Sequence, residues 1–287
     1  MIQDKLLIIR TISALRSTVC KWKSRGLRVS LIPTMGALHD GHMALISSAL
    51  KMSDRIIVSV FVNPKQFSPQ EDFLNYPRCE SKDVELLQIT GAHVLYSPTI
   101  KEMYPDGFVS IVTVDGPSKG LCGDFRKGHF SGVATVVTKL LLQSDADFAF
   151  FGEKDYQQLQ IIRSLVSDLN IHVDIKCIPI VREIDGLAIS SRNSYLTIDE
   201  RIAAPTLYKI LVSMSEKLTN GEKISDQIAW GKRQLLSAGF KAIDYLSVCD
   251  ADSLTPINTI IHPARILVAA ILGKTRLIDN VSVPLTL

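Results

Sequence analysis

The chain has 287 residues, of which 46% are apolar and 21% charged, with 32 lysines and arginines against 29 aspartates and glutamates. These values exclude a disordered, collagen-like or tail-like chain, and the length allows one large domain or two modest ones that need no disulfide or metal to fold. The net charge of +3 suits a small phosphate-bearing ligand better than nucleic acid, which calls for a clustered basic face.

In chain order, a short buried strand is expected at 29–32, then a loop and a helix over 41–52. A strand at 55–62 leads into a polar loop, 63–77. A helix is expected at 81–90, stopped by Gly91, then strands at 93–96 and 109–114. Ser131 is expected to cap a helix reaching 143. A strand at 148–151, a helix at 156–169 and a strand at 173–178 follow. Strand–helix alternation with continuously apolar strands predicts an α/β fold: a Rossmann-like parallel sheet with helices on both faces. Beyond about residue 181 the pattern changes. Thr197 to Glu200 reads as a capping box. Two helices are expected, ending near Gly221 and Gly239, then strands at 241–249, 265–272 and 276–283. The expected organisation is a catalytic domain over 1–180 and a smaller C-terminal α+β domain over 181–287.

The cysteines, Cys20, Cys79, Cys122, Cys177 and Cys249, are odd in number and form no C-x-x-C pair. They read as reduced thiols of a cytosolic protein. The apolar stretches fall well short of the ~20 residues of a membrane span. Asp4, Lys5, Arg10 and Arg16 interrupt the start of the chain, so no secretory segment is expected. A soluble cytoplasmic protein is the expectation.

The segment Ile32-Pro-Thr-Met-Gly-Ala-Leu-His-Asp-Gly-His42 joins the first strong strand to a helix. In open parallel sheets ligands bind at the carboxyl ends of strands. Gly36 and Gly41 allow close backbone approach, and the helix start is expected to offer free N–H groups to phosphate. His39 and His42, three apart, could together stabilise charge on phosphorus. Two surface histidines, or a metal pair, are the alternatives, although no carboxylate or third histidine stands at an obvious ligand spacing.

No G-x-G-x-x-G follows the first strand. Gly123-Asp-Phe-Arg-Lys-Gly128 has P-loop glycine spacing but lacks the lysine and hydroxyl after it. Arg126, Lys127 and His129 form a basic loop that either touches an anion or is simply solvated. Phe150-Phe-Gly-Glu-Lys-Asp-Tyr-Gln-Gln158 also belongs at the sheet's carboxyl edge. Gly152 permits close approach, Lys154 supplies a mobile charge for phosphate, and Asp155 could accept ribose hydroxyls; a charged helix cap is the plain alternative. Gln157 and Gln158 point different ways, so at most one faces a ligand. Gly186-Leu-Ala-Ile-Ser-Ser-Arg-Asn193 suits a loop closing over a triphosphate. Asn63-Pro-Lys-Gln66 places amides for a small polar substrate.

Five ordered motifs carry a resemblance: Pro33 to His42, Phe61-Val-Asn-Pro-Lys-Gln-Phe67, Arg126-Lys-Gly-His-Phe-Ser-Gly-Val133, Phe151 to Gln158, and Gly186 to Asn193. Together they resemble the pantoate–β-alanine ligase (pantothenate synthetase) family. The resemblance runs from about residue 29 to 196 and continues weakly to Arg276-Leu-Ile-Asp-Asn280. It implies that ATP and pantoate give pantoyl adenylate and pyrophosphate, with Mg²⁺, and that β-alanine's amine then yields pantothenate and AMP. It also implies a nucleotidylyltransferase core, a C-terminal lid and a homodimer, without nucleic acid or membrane. His39 to His42 is similar to the HIGH signature of that superfamily, and Ile189 to Asn193 stands at its mobile KMSKS-type loop.

Carried over by position, the resemblance places Met35, Gly36, His39, His42, Gly152, Lys154, Asp155, Val181, Ile189, Ser190, Ser191 and Arg192 on ATP. His42, His39 and Lys154 would be catalytic, with His42 as the proton donor. Gln66 and Gln158 would hold pantoate, with Gln66 also near β-alanine. Asn63 is a further substrate residue, and Tyr76 and Arg126 stand behind them. Gln157 is expected to tolerate alanine. The residues that would meet Mg²⁺ stay open. Lys65, Lys127 and Ile189 depart from the family's usual residues, none at a carried-over side-chain role. Another nucleotidylyltransferase and a non-catalytic nucleotide sensor are the rivals. The first should carry a basic tRNA-binding region if it served tRNA, and the second should have lost His39, His42 or Lys154.

Overall fold

The computed structural model describes residues 5–69 and 71–285. The chain forms two compact units. One gathers the residues up to Asp115 with Arg126–Glu153 and Ile161–Pro179; the other gathers Gly116–Phe125, Lys154–Gln160 and the chain from Ile180 onward.

The first unit is built on a parallel six-stranded sheet. Its strands are β1 (Leu7–Ile9), β2 (Val29–Thr34), β3 (Arg55–Val60), β4 (Val94–Tyr96), β5 (Phe148–Gly152) and β6 (Asp174–Ile178), in the order β1-β4-β3-β2-β5-β6. Helices α1 (Ile12–Lys23), α2 (Asp40–Leu50), α3 (Glu80–Thr90), the short α4 (Ile100–Met103) and α5 (Cys122–Phe125), α6 (His129–Ser144) and α7 (Tyr156–Asp168) lie along the connections. α5 and the first five residues of α7 belong to the second unit. Every strand pairing in this sheet is parallel, as expected of strands buried on both faces. Ile32, Ile56, Val58, Leu95 and Phe150 pack with Leu45, Ile46 and Ala49 of α2 and Leu87 of α3. Alternate residues face the other way, where the Tyr96 hydroxyl donates to Gln143 Oε1 of α6 at 3.1 Å.

Several expectations are corrected here. Residues 109–114 form no strand: Val109 is 87% and Ile111 68% exposed. The stretch is tied to α6, where the Val112 amide donates to Thr135 Oγ1 at 3.0 Å. α6 begins at His129, with left-handed Gly128 (φ +77°) as its cap, so Ser131 sits inside the first turn. β1 carried no signal, being three residues long with Leu7 and Ile8 half-exposed. α3 ends as expected at left-handed Gly91 (φ +81°).

The second unit contains α8 (Ile198–Ala203), α9 (Thr206–Thr219), α10 (Ile224–Ser237) and an antiparallel sheet of β7 (Ala242–Asp250), β8 (Ala264–Leu272) and β9 (Thr275–Val283), in that order. Three helices stand where two were expected. The capping box is present at Thr197 and Glu200, but it starts a six-residue helix that stops before Pro205, the cap of α9. Proline has no N–H to continue the ladder and its ring clashes with the preceding turn. Leu211, Met214, Leu235, Ile266 and Val268 lie in the common core of helices and sheet. Among the described residues no helix is long and apolar enough to cross a membrane.

Candidate active site

The strand order places β2 between β3 and β5. The chain leaves β2 toward β3 on one side and returns as β5 on the other, which makes the β2–β5 carboxyl ends the switch point where ligands bind in such sheets. Met35 to His39 follows β2 at this point, and Gly152 ends β5.

The turn after β2 is internally bonded. Gly36 (φ +82°) and Ala37 (φ +50°) are consecutive left-handed residues, which for alanine costs about 1–2 kcal/mol. The Gly36 amide donates to Thr34 Oγ1 at 3.2 Å, and the Ala37 and Leu38 amides donate to Asp83 of α3 at 3.1 and 2.8 Å. His39 then caps α2. Its Nδ1 accepts from the Gly41 amide at 3.2 Å, while His42 Nδ1 accepts from the His39 amide at 3.3 Å. The expectation of free N–H groups at this helix start is therefore corrected: the amides of residues 36–39 and 41 have partners within the protein. What the sequence places here for an anion is the pair of rings, with centroids 4.1 Å apart. A nitrogen that accepts carries no proton, so each neutral ring bears its hydrogen on Nε2. With each Nδ1 turned to a backbone amide, Nε2 is the ring nitrogen left to meet a ligand.

After β3, the chain turns through a 3₁₀ segment, Pro64–Gln66. Asn63 is fully buried: its Nδ2 donates to Gln66 Oε1 and to the Gly132 carbonyl, both at 3.0 Å, and its Oδ1 accepts from Tyr104 at 2.8 Å. The geometry makes Asn63 the brace that aims Gln66, whose Nε2 contacts Met35 Sδ at 3.2 Å. Tyr76 is buried, its ring 5.9 Å from that of Phe67. Arg126 and His129 are likewise engaged within the protein. Arg126 grips Glu71 through two bonds of 2.7 and 2.9 Å and donates to His129 Nε2 at 2.9 Å, while His129 Nδ1 donates to the Gln66 carbonyl at 2.8 Å. Burial pushes Glu71 up, but the Arg126 hydrogen bonds and charge outweigh it and hold the carboxyl below its ordinary value.

The second unit holds the other expected residues. Lys154 and Asp155 lie in a 3₁₀ turn ahead of α7, their charged groups 3.8 Å apart, and Asn280 Nδ2 fixes the Lys154 carbonyl at 3.0 Å. Val181 pairs with Ile189 through a 3.0 Å bond to the Ile189 amide. Ser190 caps the 3₁₀ segment Ser191–Tyr195 by accepting from the Arg192 amide. Val181, Ile189, Ser190, Ser191 and Arg192 thus belong to one local hairpin and turn. Gly186 (φ +96°) makes its bend where a Cβ would come 2.5 Å from the Tyr208 ring. Gln158 is half-buried at the start of α7.

Sequence reasoning missed two residues. Asp83 was an ordinary helix aspartate, yet it is 2% exposed and holds the turn after β2. Gln157 was expected to tolerate alanine. It is 4% exposed: its Oε1 accepts from the Cys122 amide at 2.9 Å and its Nε2 donates to the Pro117 and Gly120 carbonyls at 3.0 and 3.1 Å. Alanine would strand these groups at about 1–3 kcal/mol for each one that stays buried, so that tolerance is withdrawn. Two adjacent glutamines gave no signal as to which one turned inward.

The chain matches the model of the pantoate-beta-alanine ligase family over residues 7–282. It is 52% identical over 276 residues to the pantothenate synthetase of Paramagnetospirillum magneticum, covering 96% of this chain and 97% of that one. It is 51% identical to that of Rhodospirillum rubrum, covering 96% and 98%. The crystal structure of pantothenate synthetase from Thermus thermophilus superposes with a TM-score of 0.92 at 41% identity, over 96% of this chain and 99% of that one. The pantoate-beta-alanine ligase of Francisella tularensis, solved in complex with beta-gamma ATP and beta-alanine, gives 0.81 at 34% identity over 96% and 97%. A match of this length, on a fold whose switch point carries the histidine pair, makes the chain a member of the pantoate–β-alanine ligase family.

Proposed function

We propose that the chain performs the reaction for which its family is named, joining pantoate to β-alanine at the expense of ATP. The observation that carries the reading is the helix start at the switch point, where the rings of His39 and His42 stand 4.1 Å apart with each Nδ1 tied to a backbone amide. In the first step a pantoate carboxylate oxygen attacks the α-phosphorus and pyrophosphate leaves. In the second, the β-alanine amine attacks the acyl carbon, AMP leaves and the nitrogen loses its proton. A carboxylate alone is a poor acyl donor because oxide would have to depart; the adenylate supplies AMP instead. The protein's share is alignment, charge stabilisation and exclusion of water.

Within this proposal the rings of His39 and His42 and the ammonium of Lys154 meet the phosphates. Gly152 and Asp155 take the ribose, and Met35, Gly36, Val181, Ile189, Ser190, Ser191 and Arg192 complete the nucleotide site. Gln66 and Gln158 hold pantoate, and Asn63 serves by holding Gln66. Mg²⁺ is proposed to arrive with the triphosphate, as is usual for phosphate substrates, and no step is routed through it.

Pantoate with ATP is expected to release pyrophosphate in the absence of β-alanine, and pantothenate to form only when the amine is added. A strict requirement for the amine in pyrophosphate release would remove the adenylate from the mechanism. The proposal includes a homodimer. The 109–114 stretch supports it, since exposed Val109 and Ile111 are apolar surface that a second copy would cover. Sedimentation equilibrium is expected to give twice the chain mass, falling to the single mass in Ile111→Lys; a monomeric parent protein would end the dimer reading.

A further inference from the structure

The turn after β2 presents two consecutive amides, those of Ala37 and Leu38, and one side chain from within the protein takes both. Asp83 Oδ2 takes the Ala37 amide at 3.1 Å and Oδ1 the Leu38 amide at 2.8 Å. The carboxylate is 2% exposed, and among the described residues no lysine, arginine or histidine forms an ion pair with it. Burial pushes its carboxyl above the ordinary value, against the pull of the two amides. The fit is tight on the loop side as well: a Cβ on Gly36 would come 3.0 Å from Asp83 Oδ2 and 2.9 Å from Val60 Cγ1. A carboxyl group so buried is costly unless it is hydrogen-bonded, and its two hydrogen bonds go to the backbone immediately before His39.

We propose that Asp83 is a positioning residue for the adenylation step, a buried carboxyl group that holds the Ala37 and Leu38 amides after β2 and thereby sets where α2 begins and where the rings of His39 and His42 stand. This rests on the reading that those rings meet the triphosphate. It follows that the turn amides are not the phosphate cradle: that place is already taken by the protein's own carboxylate.

Asp83→Asn keeps the volume and one acceptor but sets an NH₂ donor against an amide donor. Single-turnover adenylation is expected to fall about 100-fold, the order of loss that a small misplacement of reacting groups brings. Pantoate affinity should stay within about twofold of the parent, and the thermal midpoint should change little, because removing a buried charge offsets the lost bond. His39→Ala is run beside it. Slow adenylation in both variants, with pantoate affinity kept, supports the proposal. Normal adenylation in Asp83→Asn with slow His39→Ala overturns it while leaving the histidine reading intact. Normal adenylation in both overturns the histidine reading and the proposal with it. A collapse of thermal midpoint and pantoate affinity together also overturns it, since Asp83 would then serve the scaffold at large. Asp83→Ser, which keeps one acceptor, is read by the same outcomes if the asparagine variant does not accumulate.

Discussion

Lys154→Ala is expected to slow adenylation by about 100-fold to 1000-fold, the usual loss on removing one donor that follows developing charge. The main chain of this residue is pinned by Asn280 at its carbonyl, while the ammonium, 3.8 Å from the Asp155 carboxylate, is only loosely engaged. Such a side chain exchanges a weak surface partner for phosphate oxygens as their charge grows. An interaction made mainly in the transition state lowers the rate when removed and leaves ground-state affinity nearly unchanged. The expected pattern is therefore a large drop in single-turnover adenylation with pantoate affinity kept and the thermal midpoint near that of the parent, since a partly exposed ion pair contributes little to stability. A folded Lys154→Ala protein that adenylates at the parent rate would return this lysine to the role of a helix-cap charge.

Gly132→Ala is expected to damage fold and pantoate binding together. Gly132 lies in the first turn of α6 against the 3₁₀ segment that carries Gln66. A Cβ there would stand 2.1 Å from the Lys65 carbonyl oxygen, 2.4 Å from its carbon and 2.7 Å from the Gln66 amide nitrogen. All three are backbone atoms, so no rotamer relieves the clash and the helix or the segment must move. Overpacking typically costs about 1–3 kcal/mol, and this contact belongs at the top of that range. At about 2–4 °C per kcal/mol for a unit of this size, the midpoint should fall by roughly 6–12 °C. The movement would also strain the bond from Asn63 to the Gly132 carbonyl and misdirect Gln66. Calorimetry and pantoate titration read the two effects; a variant with parent midpoint and parent pantoate affinity would mean that α6 and the segment do not meet as described.

Strands buried on both faces were legible as apolar runs, and Gly91, Gly221 and Gly239 marked helix ends, because a left-handed stop calls for glycine. β1 was not, since an edge strand of three residues needs no apolar signature. The 109–114 stretch had strand composition without a strand, because composition does not say whether a ladder partner exists. For the site, His39, His42, Lys154 and Gln66 stood out by residue type and place after a strand. Asp83 and Gln157 did not: each acts through backbone groups distant in sequence, and no local pattern marks such a bond. Asn63 was noticed for its amide, but only the buried contacts to Gln66, Gly132 and Tyr104 show what that amide is for.

The second unit is sewn from three separated pieces of chain, and this bears on the order in which the protein is made. Tyr156 and Gln160 both donate to the Ala251 carbonyl, Arg265 stacks on the Tyr156 ring 3.9 Å away, Asn280 reaches back to Lys154, and Arg276 and Tyr245 reach Cys122. A ribosome delivers Cys122 and Tyr156 long before their partners. Until about residue 280 has emerged, these early segments wait with polar groups to satisfy and an aromatic face bare. Contacts of such long sequence separation close slowly, and exposed intermediates of this kind are where nascent chains go astray. The β8–β9 hairpin, through Arg265, Arg276 and Asn280, thus closes on segments made long before it, and its arrival decides whether they are kept in place.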